Sequence, residues 1–123
     1  MKNKEFTVAE LQEAINGRLA AFAGRKYTGT IFHEWINGDI AAEFEARGIT
    51  ELRPSVWRIV TDMSEQGVSF FSDTVAEVKI DRKQDKRIKY AEGRGVILSA
   101  AVSFREELLP LTLDGARRFL FDE

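Results

Sequence analysis

Apolar residues in this chain change their spacing once, near Gly67. Before that point they recur at intervals of three and four, the period of a helix with one buried face; after it they alternate, the period of a strand. Such a chain has to lay its early helices on its late strands. The fold class expected is therefore α+β: a helical N-terminal half with a helix-turn-helix, then a small antiparallel β wing or sheet, then a short C-terminal helix. With 123 residues there is chain enough for one core and too little for two, so residues 1–123 are expected to form a single domain.

The first helix announces its own start. In Phe6-Thr7-Val8-Ala9-Glu10-Leu11, Thr7 is placed to cap, Glu10 to complete a capping box, and Phe6 to staple onto Leu11. Val8, Leu11, Ile15, Leu19 and Phe22 then form one apolar stripe, and Gly24 stands where a left-handed C-terminal cap belongs, so a helix is predicted over 7–23.

Residues 27–48 admit two patterns. As two helices, Thr30 opens a segment with Ile31, Trp35 and Ile36, and Asp39 opens a second that buries Ile40, Ala41 and Phe44 before Gly48 stops it. As a hairpin, Asn37-Gly38 supplies the turn, and Ile40, Ala42, Phe44 and Ala46 alternate against Ala41, Glu43, Glu45 and Arg47. Ala and Glu are poor strand formers, which favours the helices.

Pro54 suits the first turn of a further helix, in which Val56, Ile59, Val60 and Met63 form the stripe and Gly67 marks the end. Strands are then predicted at 68–71 and at 74–80, the latter with Ala76, Val78 and Ile80 on one side. Ile88 and Tyr90 mark a strand at 87–91 that pairs back, and 96–104 supplies a last one with Val96, Leu98, Ala100, Val102 and Phe104 on a shared face. Beyond Pro110, Leu113, Ala116 and Leu120 fit a short closing helix.

Several chemistries are excluded by composition. The absence of cysteine removes thiolate catalysis, Cys-based zinc sites and disulfides. His33 is the only histidine, and the residue four positions on is Asn37, so the paired-histidine zinc pattern fails. Gly93-Arg94-Gly95 lacks the strand-to-helix setting of a phosphate loop. The acidic pairs Glu43 with Glu45 and Glu106 with Glu107 have no partner pattern that tunes one carboxyl against another. A non-enzymatic protein with no cofactor and no metal is expected. Met1-Lys2-Asn3-Lys4-Glu5 is charged and no run of about 20 apolar residues follows, so a cytoplasmic protein without a membrane partner is the expectation.

Charge is unevenly placed. Residues 79–94 hold seven basic residues against three acidic ones, a local +4 in a chain of net charge −2. Beside that basic stretch, Ser55-Val56-Trp57-Arg58-Ile59-Val60-Thr61-Asp62-Met63-Ser64-Glu65-Gln66-Gly67 resembles the recognition helix and following turn of winged helix-turn-helix DNA-binding proteins. Asp39 to Phe44 looks like the supporting helix of that family, and 74–91 like its wing. The turn from Gly48 to Arg53 is longer than the family's, and the reading helix carries Asp62 and Glu65 beside its one basic residue, Arg58.

The resemblance implies an extra N-terminal helix at 7–24, a helix-turn-helix with its wing at 39–91, and a strand and helix at 96–123. It implies sequence-specific binding of double-stranded DNA, for transcription, replication or partition of a phage or plasmid. Arg53, Ser55, Trp57, Arg58 and Thr61 would meet the major groove, and Arg82, Lys83, Lys86, Arg87 and Lys89 the backbone or minor groove. Such readers work as dimers on two half-sites, so a homodimer is expected, with the apolar stripe of the first helix and Leu113, Leu120 and Phe121 as candidate interface. The alternative is a protein-binding α+β module, such as an immunity protein or a phage-encoded inhibitor of a host complex, suited by the acidic residues and aromatics outside the basic stretch.

Overall fold

Thr7 starts the first helix as its neighbours dictate. In the computed structural model, which describes residues 5–61, 69–70, 72–85 and 93–121, helix α1 runs Val8–Leu19. Thr7 Oγ1 accepts from the Glu10 amide at 3.1 Å and Glu10 Oε1 accepts from the Thr7 amide at 3.1 Å, so two of the orphan donors at the helix start are satisfied reciprocally. A 3-10 turn over Ala20–Phe22 follows, and Gly24 turns the chain at φ +87°. All five residues of the predicted stripe are buried.

After a short strand β1, Lys26–Thr28, comes α2, Ile31–Ala46. It is one continuous helix through Asn37-Gly38, so the hairpin is overturned and the two predicted helices are one. The reason lies in the stripe: Phe32, Ile36, Ile40 and Phe44 follow one another every four residues across that dipeptide, and all are buried. The helix ends in a Schellman cap in which Gly48, at φ +79°, donates to the Glu45 carbonyl (2.9 Å) and Ile49 to that of Phe44 (3.0 Å).

The helix expected from Pro54 is not formed. Trp57–Thr61 is strand β2, and residues 62–68 lie outside those described. Two apolar neighbours in a run of β-branched and aromatic residues satisfy a helical stripe by accident, while the composition of the run favours a pleated surface. Ser69 and Phe70, expected in a strand, are irregular.

Strands β3, Ala76–Gln84, and β4, Arg94–Phe104, are the centre of a sheet ordered β1-β4-β3-β2. β4 pairs antiparallel with β1 and β3, and β2 pairs parallel with β3. Ala76, Val78 and Ile80 point into the core as predicted. In β4 the predicted face is interrupted: Asp81 opposes Ser99 and Arg82 opposes Ile97, which leaves Leu98 as the extra residue of a bulge. Ile97 is therefore buried and Leu98 is 53% exposed, the reverse of the alternation expected. The strand expected at 87–91 falls on residues that are not described.

Helices α1 and α2 cover one face of the sheet. After a 3-10 turn at Glu106–Leu108, the chain closes with α3, Arg117–Leu120, and buries Leu113, Ala116 and Leu120 as expected. The protein is α+β, but β1 divides its helical half, and among the described residues the sheet is four-stranded and mixed, with a strand where the reading helix of a helix-turn-helix was expected to begin. No helix among the described residues is long and apolar enough to cross a membrane.

Candidate interaction surface

The residues assigned to the major groove lie around β2, and Arg53, Ser55, Trp57 and Arg58 each donate a side-chain hydrogen bond within the molecule. Arg53 donates to the Asp73 carbonyl at 2.5 Å, and Ser55 to the same oxygen at 3.3 Å. The Trp57 ring lies parallel to Phe44 of α2, centroids 5.9 Å apart, and its Nε1 donates to Asn37 Oδ1 at 2.8 Å. Arg58 points to the opposite face, where its Nη2 donates to Glu77 Oε1 at 2.9 Å and to the Ser69 carbonyl at 3.4 Å. Thr61 ends β2, level with Ile80. A strand alternates its side chains, so Trp57 and Arg58 cannot face one groove together. That separation is the correction to the expected reading helix.

The basic group sits elsewhere. Arg82 lies over the rings of Tyr27 and Phe32, 5.9 and 5.7 Å from their centroids, and its Nη1 donates to the Tyr27 hydroxyl at 3.5 Å. Lys83 is exposed near the end of β3 that is distant from Arg53 and Ser55. Lys86, Arg87 and Lys89 are outside the described residues. The stripe of α1 with Leu113 and Leu120, expected to join two molecules, is buried in the chain's own core, and Phe121 is half-buried.

His33 is a wall residue. Its ring meets Phe32 edge-on at 4.4 Å, its Nε2 is buried without a hydrogen-bond partner among the described residues, and its pKa is lowered by desolvation first and by the nearby Arg82 charge second. No cluster of three or more metal-ligating side chains occurs among the described residues.

What sequence reasoning missed is an electrical division between the layers. Helices α1 and α2 carry six carboxylates, Glu10, Glu13, Glu34, Asp39, Glu43 and Glu45, against one cation, Arg18. The four strands carry six cations, Lys26, Arg58, Lys79, Arg82, Lys83 and Arg94, against Glu77 and Asp81. The signal was available in the sequence only once the strands were correctly placed.

On the helical side, Glu43 bridges the two helices, 2.5 Å from Arg18 Nε and 2.6 Å from Arg47 Nη1. Burial acts to raise its pKa, but the hydrogen bonds and charges of those two guanidiniums outweigh burial and hold it below the usual carboxylate range. Glu34 and Glu45 are exposed on the outward face of α2, and Ile31 on the same face is 42% exposed. Trp35, half-buried next to Glu34 in the chain, is held by Phe22, stacked at 6.4 Å, and by Arg25, whose guanidinium carbon lies 3.6 Å from the indole centroid.

Comparison with protein-family models, curated proteins and solved structures returns no match for this chain.

Proposed function

We propose that this protein is a protein-binding α+β module whose partner presents a basic surface, in the manner of an immunity protein or an inhibitor of a host complex. The outward face of α2 carries the reading: Ile31 and the immobilised Trp35 supply the apolar anchor, and Glu34 and Glu45 supply the complementary charge. A ring already locked by Phe22 and Arg25 loses little freedom on docking, so its burial is not offset by ordering. The exposed carboxylates of α2 steer a cationic partner and make association salt-dependent.

Nucleic acid is the second reading, favoured by the cationic sheet layer and exposed Lys83, and one experiment separates the two. Proteins and nucleic acids retained by the immobilised chain are compared at low and high salt for the wild type, for Ile31→Ala, Trp35→Ala, and for the pair Glu34→Lys with Glu45→Lys. The protein reading expects a basic protein partner whose affinity falls about tenfold or more on loss of Trp35 and on charge reversal, with Ile31→Ala giving a smaller loss. Retention of DNA that is indifferent to all these changes and lost on Lys79→Ala with Lys83→Ala refutes it in favour of the second.

A further inference from the structure

The tripeptide Ile-Asn-Gly occurs twice, as Ile15-Asn16-Gly17 and as Ile36-Asn37-Gly38, and the fold places both copies inside helices with the isoleucine fully buried. Asparagine followed by glycine is chemically labile. With no Cβ to shield it, the glycine nitrogen can reach the asparagine side chain and close a five-membered imide.

Both helices restrain that reaction. Inside an α-helix the glycine amide donates to the carbonyl four residues back, and the asparagine backbone is held at a ψ of about −42°. Ring closure requires rotation out of that region, so it waits for a local opening of the helix. Gly17 lies in the last turn of α1 and Gly38 in the middle of α2, so fraying alone would favour reaction at Asn16.

The hold on the two side chains points the other way. Asn16 is half-buried against the edge of β4: its Oδ1 accepts from the Val102 amide at 2.6 Å and its Nδ2 donates to the Val102 carbonyl at 3.1 Å. One turn earlier, Gln12 accepts from the Phe104 amide at 2.8 Å and fixes α1 to the same edge. Reaction at Asn16 breaks both of its bonds and leaves the main-chain groups of buried Val102 unpaired. Asn37 is exposed, and one bond holds its side chain, from Trp57 Nε1 to its Oδ1 at 2.8 Å.

We propose that Asn37 is a site of spontaneous deamidation in the folded protein, and that Asn16, in the same tripeptide, is protected by β4. A base removes the Gly38 amide proton and the nitrogen attacks Asn37 Cγ. The Cγ–Nδ2 bond then breaks as Nδ2 takes up a proton and leaves as ammonia. Water adds to either imide carbonyl and breaks its bond to the ring nitrogen, giving aspartate or isoaspartate. The net change is asparagine and water to acid and ammonia, with no oxidant or reductant. Aspartate leaves α2 continuous and sets a carboxylate against Trp57 Nε1. Isoaspartate routes the main chain through the former side chain and adds a backbone carbon between Ile36 and Ile40. That breaks the four-residue spacing by which Phe32, Ile36, Ile40 and Phe44 are buried. The reactivity of Asn37 belongs to α2 itself, whatever docks on that helix.

The full chain is incubated folded and in concentrated urea at mildly alkaline pH. Peptide mapping by mass spectrometry follows the replacement of NH by O at each asparagine, and isoaspartyl methyltransferase labelling identifies isoaspartate. In urea both sites should convert, and their rates there calibrate the chemistry of each dipeptide. In the folded chain Asn37 should convert about fivefold or more faster than Asn16 after that calibration, the effect of one net hydrogen bond. Trp57→Phe keeps a ring against Phe44 but removes the donor, and should raise the Asn37 rate while leaving that of Asn16 unchanged. Gly38→Ala, whose Cβ meets nothing within 4 Å, should suppress conversion at Asn37 alone. Asn16 thus reports any general loosening of the fold in these variants. Three results would each overturn the proposal: folded-state conversion of Asn16 as fast as that of Asn37 or faster, an Asn37 that converts in urea but not in the folded chain, or a Trp57→Phe variant that leaves Asn37 unchanged or accelerates both sites equally.

Discussion

Glu77 has no exposed surface, yet it stands on the outer face of the sheet, where its Oε1 accepts from Arg58 and its Oε2 has no hydrogen-bond partner among the described residues. A buried carboxylate depends on its cation far more than a surface one does. Replacing Arg58 by Ala leaves that charge uncompensated, and the expected loss of stability is about 3 kcal/mol, the lower end for breaking a buried pair because Arg58 is itself partly exposed. Adding Glu77→Leu should recover most of the loss, since apolar packing can replace such a pair at little cost; urea midpoints of the two variants and the double variant measure the coupling. Equal destabilisation in the single and double variants would contradict the assignment. His33 gives a prediction in pH. Desolvation and Arg82 lower its pKa, so the unfolded chain binds the proton more readily than the folded one. Its contribution is complete above the ordinary histidine pKa of about 6.5 and is lost as pH falls from there toward the lowered folded value. Stability of the wild type should therefore decline through that window, and the decline should be shallower in His33→Gln when both are followed by urea denaturation. Glu43, whose pKa is also lowered in the fold, adds its own loss only at more acid pH. Neither residue's role was legible in the sequence, because Glu77 lies 19 positions from Arg58 and Arg82 reaches His33 only through the sheet.

At the scale of elements, the signals that were legible are those contained within one turn of chain. Thr7 and Glu10 form their capping box, and Gly48 takes the left-handed conformation that ends α2, as spacing alone required. β2 defeats sequence reading because its five residues are too few to separate a strand from a turn and a half of helix when both periods place Ile59 inward. The bulge at Leu98 was not legible at all, since it exists only in the pairing with Asp81 and Arg82. Two glycines, one inside α2 and one just past its end, allow a contrast. Gly48 sits at φ +79°, where a Cβ is strained, and Gly48→Ala should cost about 1 kcal/mol or more. Gly38 lies inside the helix, and a Cβ there meets nothing within 4 Å. Gly38→Ala should raise stability by about 0.5–1 kcal/mol, and thermal melts of the two variants moving in opposite directions are the expected result. A fall in melting temperature for Gly38→Ala would mean that the helix is interrupted at Asn37-Gly38, as two separate helices require.

For the whole molecule, the decisive contacts join the two ends of the chain. The Val8 amide donates to the Leu111 carbonyl at 2.8 Å, Leu113 donates to the Phe6 carbonyl at 2.8 Å, and the Arg53 amide, just ahead of β2, donates to the Leu120 carbonyl at 2.7 Å. The segment after Pro110 is thereby tied to the start of α1 and to the entry of β2, and Leu113 and Leu120 fill the core between them. Because α1 in turn closes the β4 edge through Asn16 and Gln12, loosening this segment removes support from the helix layer and from the sheet together. Truncating one buried leucine to alanine costs about 2–5 kcal/mol, and a domain of this size is stable by about 5–15 kcal/mol in all. Leu113→Ala and Leu120→Ala should each lower the urea midpoint without abolishing the transition. Their combination should consume most of the stability and leave a large unfolded population at about 25 °C, seen as a weakened or absent cooperative melt. Hydrogen exchange at intermediate stability tests the connection directly: in the single variants the α1 amides and the β4 amides should lose protection by similar amounts. Faster exchange confined to the segment after Pro110 would show instead that it is an appendage whose opening the helices and sheet survive.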